Sequence, residues 1–278
     1  MTRLTTLVDA EAVAARAAAE IARRIQSARE ERGVAHLALS GGTTPGGAYE
    51  LLARELEDWA NVEVWFADER CVGPEDSESN YRLARETLIE PAEIPAEQVH
   101  RMEGELGPEE GAARYARLLG ERVAADGGAG TGTSASTSGR GGASTGQDTG
   151  AGAGSADARS AGALGLPVLD VIVLGIGPDG HIASLFPGAA TLHAGAQAVC
   201  LPVHDSPKPP PERITLSLAV LRAARRCLML ATGASKSDAV AAMLGQASDH
   251  VPASLLDRDR LSVLVDDAAA PPGPLPDG

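Results

Sequence analysis

Lysine is nearly missing from this chain of 278 residues: Lys208 and Lys236 are the only two among 24 basic side chains. The background cation is arginine, whose planar fork and lysine's compact ammonium are not interchangeable where geometry matters. The two lysines are therefore candidate ligand contacts. Cysteine is scarce as well. Cys71, Cys200 and Cys227 are far apart, odd in number and free of CxxC spacing, which indicates neither a disulfide framework nor a zinc site. No apolar run approaches the roughly 20 residues needed to span a bilayer. The alanine-rich N-terminal stretch mixes Arg3 with Asp9, Glu11 and Glu20, unlike a secretory or transit signal. A cytoplasmic protein with no membrane partner is the expectation. Positive charge is the remaining deficit: the formal net charge of −14 leaves no basic face for nucleic acid. A site for an anion must gather its cations locally, against the field of the whole chain.

What is present is an alternation of strands and helices. Val13, Ala17, Ile21 and Ile25 recur at four-residue spacing and predict an amphipathic helix. Strands are predicted over Val34 to Leu39, Val62 to Ala67, Leu169 to Leu174, Ala198 to Val203, Arg226 to Ala231 and Leu261 to Val265. Helices are predicted over Pro45 to Glu57, with Thr44 as N-cap, and over Tyr81 to Ile89, Pro108 to Ala125, Thr215 to Ala224 and Lys236 to Leu244. This order is that of an α/β fold, a doubly wound and mostly parallel sheet with helices on both faces. From 126 to 163 the chain is Gly, Ala, Ser and Thr without Val, Ile, Leu, Met or aromatic residues. That composition cannot bury enough apolar surface to order itself. It reads as a flexible insertion within one domain spanning 1–270, followed by a proline-rich tail at 271–278.

The most informative stretch is VLDVIVLGIGPDGHIASLFPG, Val168 to Gly188, a buried strand emptying into a glycine turn that presents His181. Ligands of open α/β sheets bind at that carboxyl edge. Taken literally, Gly175, Gly177 and Gly180 form a dinucleotide fingerprint. It fails its context test, because Pro187 and Gly188 stop any long helix and the position about 20 residues beyond Gly180 is Cys200, not an acid. Imidazole titrates near neutrality and suits a general base. No second ligand lies at metal spacing from His181. Ser40-Gly41-Gly42-Thr43-Thr44, between a strand and a helix, offers backbone N–H groups and a helix N-terminus to a phosphate. It lacks the lysine of a P-loop. Asp68 and Arg70 close the next strand, where Arg70 either reaches the same crevice or pairs with Glu69 or Asp76. The segment His204 to Arg213 is a stiff proline loop that carries Lys208 and Arg213 into the helix that follows.

Jointly, SGGTTP at Ser40 to Pro45, DER at Asp68 to Arg70 with Ser79-Asn80, GIGPDGHIASLFPG at Gly175 to Gly188, KPPPERITL at Lys208 to Leu216, GASK at Gly233 to Lys236 and VPASLL at Val251 to Leu256 closely resemble the 6-phosphogluconolactonase family. The resemblance implies a sugar-phosphate isomerase-like fold and hydrolysis of a phosphorylated gluconolactone. It implies no redox cofactor; no metal and a monomer or small homo-oligomer are further expectations. It also implies that Ser40, Gly41, Gly42, Thr43, Arg70, Gly177, Arg213 and Lys208 bind substrate or its phosphate, with Lys236 a further candidate. His181 becomes the base that activates water. Asp179 or Asp68 orients it, and turn N–H groups near Gly177 to Gly180, or a cation, stabilise the oxyanion. The related glucosamine-6-phosphate deaminases carry a glutamate five residues beyond the histidine, where this chain has Phe186. A non-catalytic sugar-phosphate-binding module is the remaining alternative.

Overall fold

The computed structural model describes residues 2–127 and 165–272. The 126–163 insertion, apart from its first two residues, and most of the 271–278 tail lie outside the described residues. Asp126 and Gly127 belong to a helix, not to the insertion.

Strands β1 (Arg3–Leu7), β2 (Ala35–Leu39), β3 (Val62–Phe66), β5 (Val171–Gly175), β8 (Cys227–Ala231) and β9 (Leu261–Asp266) form a six-stranded sheet in the order β1-β9-β8-β5-β2-β3. Every pairing in it is parallel. Every residue of β2, β8 and β9 is buried, as a sheet covered on both faces requires. A second, antiparallel sheet holds β4 (Asp68–Arg70), β7 (Arg213–Leu216) and β6 (Cys200–Val203) in the order β4-β7-β6.

Helix α1 (Ala10–Arg32) starts where the Asp9 carboxylate accepts the Ala12 N–H at 2.8 Å, and stops at Gly33, whose φ of 81° a larger residue adopts only with strain. Its buried stripe includes Val13, Ala17, Ile21 and Ile25. It packs against α2 (Thr43–Glu55), so both lie on one face of the main sheet. The connections through α1 and α2 run toward β3, whereas those from β5 to β8 and from β8 to β9 run the other way. Right-handed crossovers then place the later helices, α5 (Leu218–Ala223) and α6 (Ser237–Leu244), on the opposite face. The direction reverses between β2 and β5, which are neighbours. A crevice therefore opens beyond their carboxyl ends. The remaining helices are α3 (Asn80–Ala84), continued by a wider turn over Arg85–Ile89, and α4 (Pro108–Gly127), which packs on β6 and β7. Among the described residues no helix is long and apolar enough to cross a membrane.

Four expectations need correction. The chain opens with β1 ahead of the predicted helix. Thr44 is not the N-cap of α2; Gly42 takes that place with φ of 105° and no side-chain cap, and Thr44 Oγ1 instead meets Thr232 Oγ1 at 2.7 Å. Thr215 and Leu216 belong to β7, and α5 begins only after Ser217, whose hydroxyl caps it. The proline loop thus delivers Arg213 into a strand, not a helix.

Tyr49 ties α2 to the end of β2. Its hydroxyl accepts the Ser40 N–H at 2.9 Å and donates to the Ser40 carbonyl at 2.8 Å, all of it buried. Tyr49→Phe leaves both backbone groups unsatisfied, and chemical denaturation is expected to show a loss of about 1–3 kcal/mol.

Candidate active site

A cavity of about 340 Å³ fills the crevice between β2 and β5. Its floor is two loops: Ser40 to Pro45 after β2, and Gly175 to Pro178 with His181 after β5. Its remaining lining includes Asp68, Arg70, Asn80, Lys208, Pro209, Arg213 and Lys236. Both lysines of the chain therefore face one cavity.

The cations are concentrated by sheet register. Arg70 on β4 lies directly opposite Arg213 on β7, and Asp68 lies opposite Thr215. Since alternate residues share a face of a strand, Asp68 and Arg70 point the same way and Glu69 the other. Like charges directly opposite one another destabilise a strand pair, so this register is costly unless an anion bridges it. Arg213 is buried, and three carbonyls of the proline loop fix it: Pro210 O accepts from Nε, while Lys208 O and Pro209 O accept from Nη2, each at 3.1 Å. Its Nη1 has no partner among the described residues. Burial, and then the Arg70 charge, pull the Arg213 pKa down, while Asp68 opposes them. Arg70 donates to the Glu78 carbonyl, and its buried Nε has no partner among the described residues. Lys236, in a short 3₁₀ turn (Ala234–Lys236) before α6, also has its pKa lowered, first by burial and next by Lys208.

His181 is held by the turn it sits in. Its Nδ1 lies 2.5 Å from Asp179 Oδ1, and Lys208 Nζ lies 3.3 Å from the same nitrogen and 3.5 Å from that carboxylate oxygen. Nδ1 cannot both donate to Asp179 and accept from Lys208. The shorter, charge-assisted contact wins, and it places the proton on Nδ1 and leaves Nε2 as an acceptor. Gly177 makes this pair possible, because a Cβ there would overlap both the imidazole and the Asp179 carboxylate. The Phe186 ring centroid lies 4.8 Å from that of the imidazole and 5.7 Å from the Arg213 guanidinium carbon. Burial is the largest influence on His181 and lowers its pKa below the ordinary value, with Lys208 adding to the effect and Asp179 opposing it. For Asp179 burial pushes upward, but the His181 hydrogen bond and the neighbouring positive charges outweigh it and hold the carboxyl low.

A sequence model of the family described as glucosamine-6-phosphate isomerases/6-phosphogluconolactonase matches residues 8–265. The chain belongs to this family. It is 34% identical to the 6-phosphogluconolactonase of Streptomyces coelicolor over 94% of its own length and 91% of that protein's. It is 33% identical to the human 6-phosphogluconolactonase, over 82% of this chain and 78% of the other. The crystal structure of a 6-phosphogluconolactonase from Shewanella baltica superposes with a TM-score of 0.72 at 26% identity, covering 96% and 98% of the two chains.

Within this member of the isomerase/lactonase family, the structure brings Ser40, Gly41, Gly42, Thr43, Asp68, Arg70, Gly177, His181, Lys208, Arg213 and Lys236 around one cavity. Asp179 stands behind the imidazole. Two expectations change. Of the two acids offered as partner to His181, Asp179 makes the bond; Asp68 instead accepts from Ser184 Oγ at 2.6 Å and Asn80 Nδ2 at 3.2 Å. Two of the turn amides are also occupied: Gly177 N–H donates to His181 O and Gly180 N–H to Gly177 O, both at 2.9 Å, and Pro178 has no N–H. The Asp179 N–H and the cations remain as candidates to meet an oxyanion.

Sequence reasoning passed over Glu69, Asn80 and Ser184 as site residues. Glu69 is not the partner of the Arg70 guanidinium. Its buried carboxylate accepts the N–H groups of Arg70, Asn80 and Tyr81 and the Ser79 hydroxyl, at 2.7 to 3.0 Å. That clamp fixes Asn80, whose side chain fills the space a Cβ on Gly41 would need. The Ser79-Asn80 pair was a visible signal for this loop. Ser184 had none. Among the described residues no cluster of three or more His, Cys, Asp or Glu side chains forms a metal site.

The opposing influences on His181 give a signed test by NMR titration of its imidazole. The wild-type midpoint is expected below the ordinary histidine value. Asp179→Asn removes a stabilising negative charge and moves it lower; Lys208→Met removes a competing positive charge and moves it higher.

Proposed function

We propose that this chain is a 6-phosphogluconolactonase that hydrolyses 6-phospho-D-glucono-1,5-lactone to 6-phospho-D-gluconate, the second step of the oxidative pentose phosphate pathway. The observation that carries the reading is that a desolvated imidazole and carboxylate pair and four cations line or back a single cavity at the switch point of the sheet.

The phosphate is taken by the N–H groups of Gly41, Gly42 and Thr43 at the start of α2, together with Arg70 and Arg213, whose mutual repulsion it relieves. Ser40, whose Oγ is buried without a partner among the described residues, lies at the base of the same loop. His181 Nε2 takes a proton from water as the water oxygen bonds to the lactone carbonyl carbon. The Nδ1–H stays on the imidazole and the Asp179 carboxylate stabilises the imidazolium. Negative charge on the carbonyl oxygen faces Lys208 or Lys236. Collapse of the tetrahedral centre breaks the ring C–O bond, and the imidazolium returns its proton to the departing ring oxygen. No redox cofactor or metal enters these steps. A cytoplasmic location fits this reading, as does the free state of all three cysteines. The chemistry is complete within one chain, so it suits a monomer or a small homo-oligomer equally.

A deaminase of the same fold would need a proton-shuttling group where Phe186 sits. Here that place holds a buried ring packed on the imidazole, which strips water from His181 but moves no proton.

The test follows acid release from freshly made phosphogluconolactone, with spontaneous opening subtracted. His181→Asn is expected to lower kcat/KM by at least about 10²-fold while product binding survives; near-normal turnover removes His181 as the base. The base must be neutral to act, so activity falls as pH drops through the His181 pKa. Because that pKa lies below the ordinary value of 6.5, the acid limb of the kcat/KM profile is expected below pH 6.5, and Lys208→Met shifts the limb upward.

A further inference from the structure

The loop that carries Lys208 is short of backbone donors. Pro207, Pro209, Pro210 and Pro211 have no N–H, so between 207 and 211 the Lys208 N–H is the single backbone donor. The ends of the loop are pinned. His204 Nε2 lies 2.9 Å from Glu109 Oε1 on α4, and Glu212 O accepts the Cys71 N–H at 3.0 Å. Closer to the tip, the Ser206 N–H donates to Pro211 O at 2.9 Å. Inside the tip the Ser206 hydroxyl takes over. Its Oγ donates to Lys208 O at 2.9 Å and accepts the Lys208 N–H at 3.3 Å. The same Lys208 carbonyl accepts from Arg213 Nη2.

A lysine side chain is a flexible four-carbon stem, so its ammonium is placed by whatever holds its backbone. Lys208 Nζ stands beside His181 Nδ1 and Asp179 Oδ1 with 42% of its side chain exposed. An ion pair that open contributes little by itself. The loop must therefore supply the placement. Proline rings fix φ at every other position from 207 to 211, which leaves Lys208 as the one residue of the tip whose φ is free. Ser206 bonds both backbone polar groups of that residue. The groups that bear on His181 are Asp179 from its own turn, Lys208 from the proline loop, Asp68 from β4 and the Phe186 ring. Of these, only Lys208 is held by Ser206.

We propose that Ser206 is a positioning residue, whose hydroxyl staples the backbone of Lys208 so that the ammonium stands against the His181–Asp179 pair while the Lys208 carbonyl stays on Arg213. The part of Lys208 in turnover rests on the lactonase reading of the site; the staple itself does not. Without the hydroxyl, the Lys208 N–H turns to water and the ammonium is free to leave. A competing positive charge then moves away from the imidazole, which holds its proton more firmly.

The test reads the NMR titration midpoint of His181 in the ligand-free protein, with kcat/KM on fresh 6-phosphogluconolactone beside it. Ser206→Ala is expected to raise the midpoint by about half or more of the rise that Lys208→Met gives. It is also expected to lower kcat/KM by about threefold to tenfold, the scale of one lost hydrogen bond. Ser206→Thr keeps the hydroxyl and is expected to restore both. Added to Lys208→Met, Ser206→Ala is expected to move the midpoint no further, because the serine acts through the lysine. An unmoved midpoint in Ser206→Ala, or the same rise with and without the lysine, overturns the proposal, since a loop that is only loosened loses activity and shifts no midpoint. Wild type supplies a check that needs no variant to fold. Its Lys208 amide is expected to exchange with solvent at least about tenfold more slowly than an unprotected amide, and exchange at the unprotected rate overturns the staple. The expected midpoints in a protein with no lactone turnover would overturn the lactonase reading and leave the staple standing.

Discussion

The parallel pairing of β2 with β5 is the constraint on which the site depends. Leu37 and Ala38 lie beside Val171 and Ile172, so the two strands release their chains side by side on the same edge. Two loops of small residues then face each other across a few ångströms, one ending in a helix N-terminus and the other carrying an imidazole. Small residues are required in both for a steric reason. Gly41 leaves room for the Asn80 amide and Gly177 leaves room for the His181–Asp179 pair. A slip in strand register would separate the loop after β2 from His181 and exchange the two buried faces of each strand. The chemistry is thus a consequence of where the winding of the sheet reverses.

Electrostatics then sharpen what topology supplies. A chain with a net charge of −14 has a field that disfavours an anionic ligand at long range. The cavity answers it locally, with Arg70 facing Arg213 across two strands and Lys208 beside Lys236. These repulsions are held by rigid parts: the second sheet for the arginines, loop carbonyls for Arg213 and a helix-entry turn for Lys236. The cost of bringing like charges together is met in folding, before any ligand arrives. In the proposed reading, binding a doubly charged phosphate relieves it, so much of the affinity is preorganised.

The doubly wound sheet was legible because its central strands are long buried runs and its helices carry capping and periodic signals, as with Asp9 and Gly33 around α1. The small second sheet was not. β4 has three residues, and β7 reads in sequence like the start of a helix, since Arg213–Leu216 is too short to show a period. Those strands exist through pairing with each other, which local sequence does not encode. The same limit applied within the site. His181, the phosphate loop and the cations announce themselves by residue type and by position after a strand. The choice between Asp179 and Asp68 depended on side-chain direction, and the Ser184 to Asp68 bond joins residues 116 positions apart.

Three carboxylates gather around this cavity, and their environments divide the work among them. Glu69 is sealed behind β4, where burial raises its pKa and backbone N–H groups oppose the rise; it shapes a loop and meets no ligand. Asp179 is partly open to solvent, and the charges of His181 and Lys208 offset its burial, so it remains the ionised partner that a forming imidazolium needs. Asp68 has neutral donors on both oxygens, Ser184 and Asn80, the setting of a fixed hydrogen-bond acceptor. Residue type alone makes these acids equivalent. Their roles separate because adjacent residues of β4 alternate across the sheet, and because Gly177 lets one acid of the glycine turn come within 2.5 Å of the imidazole.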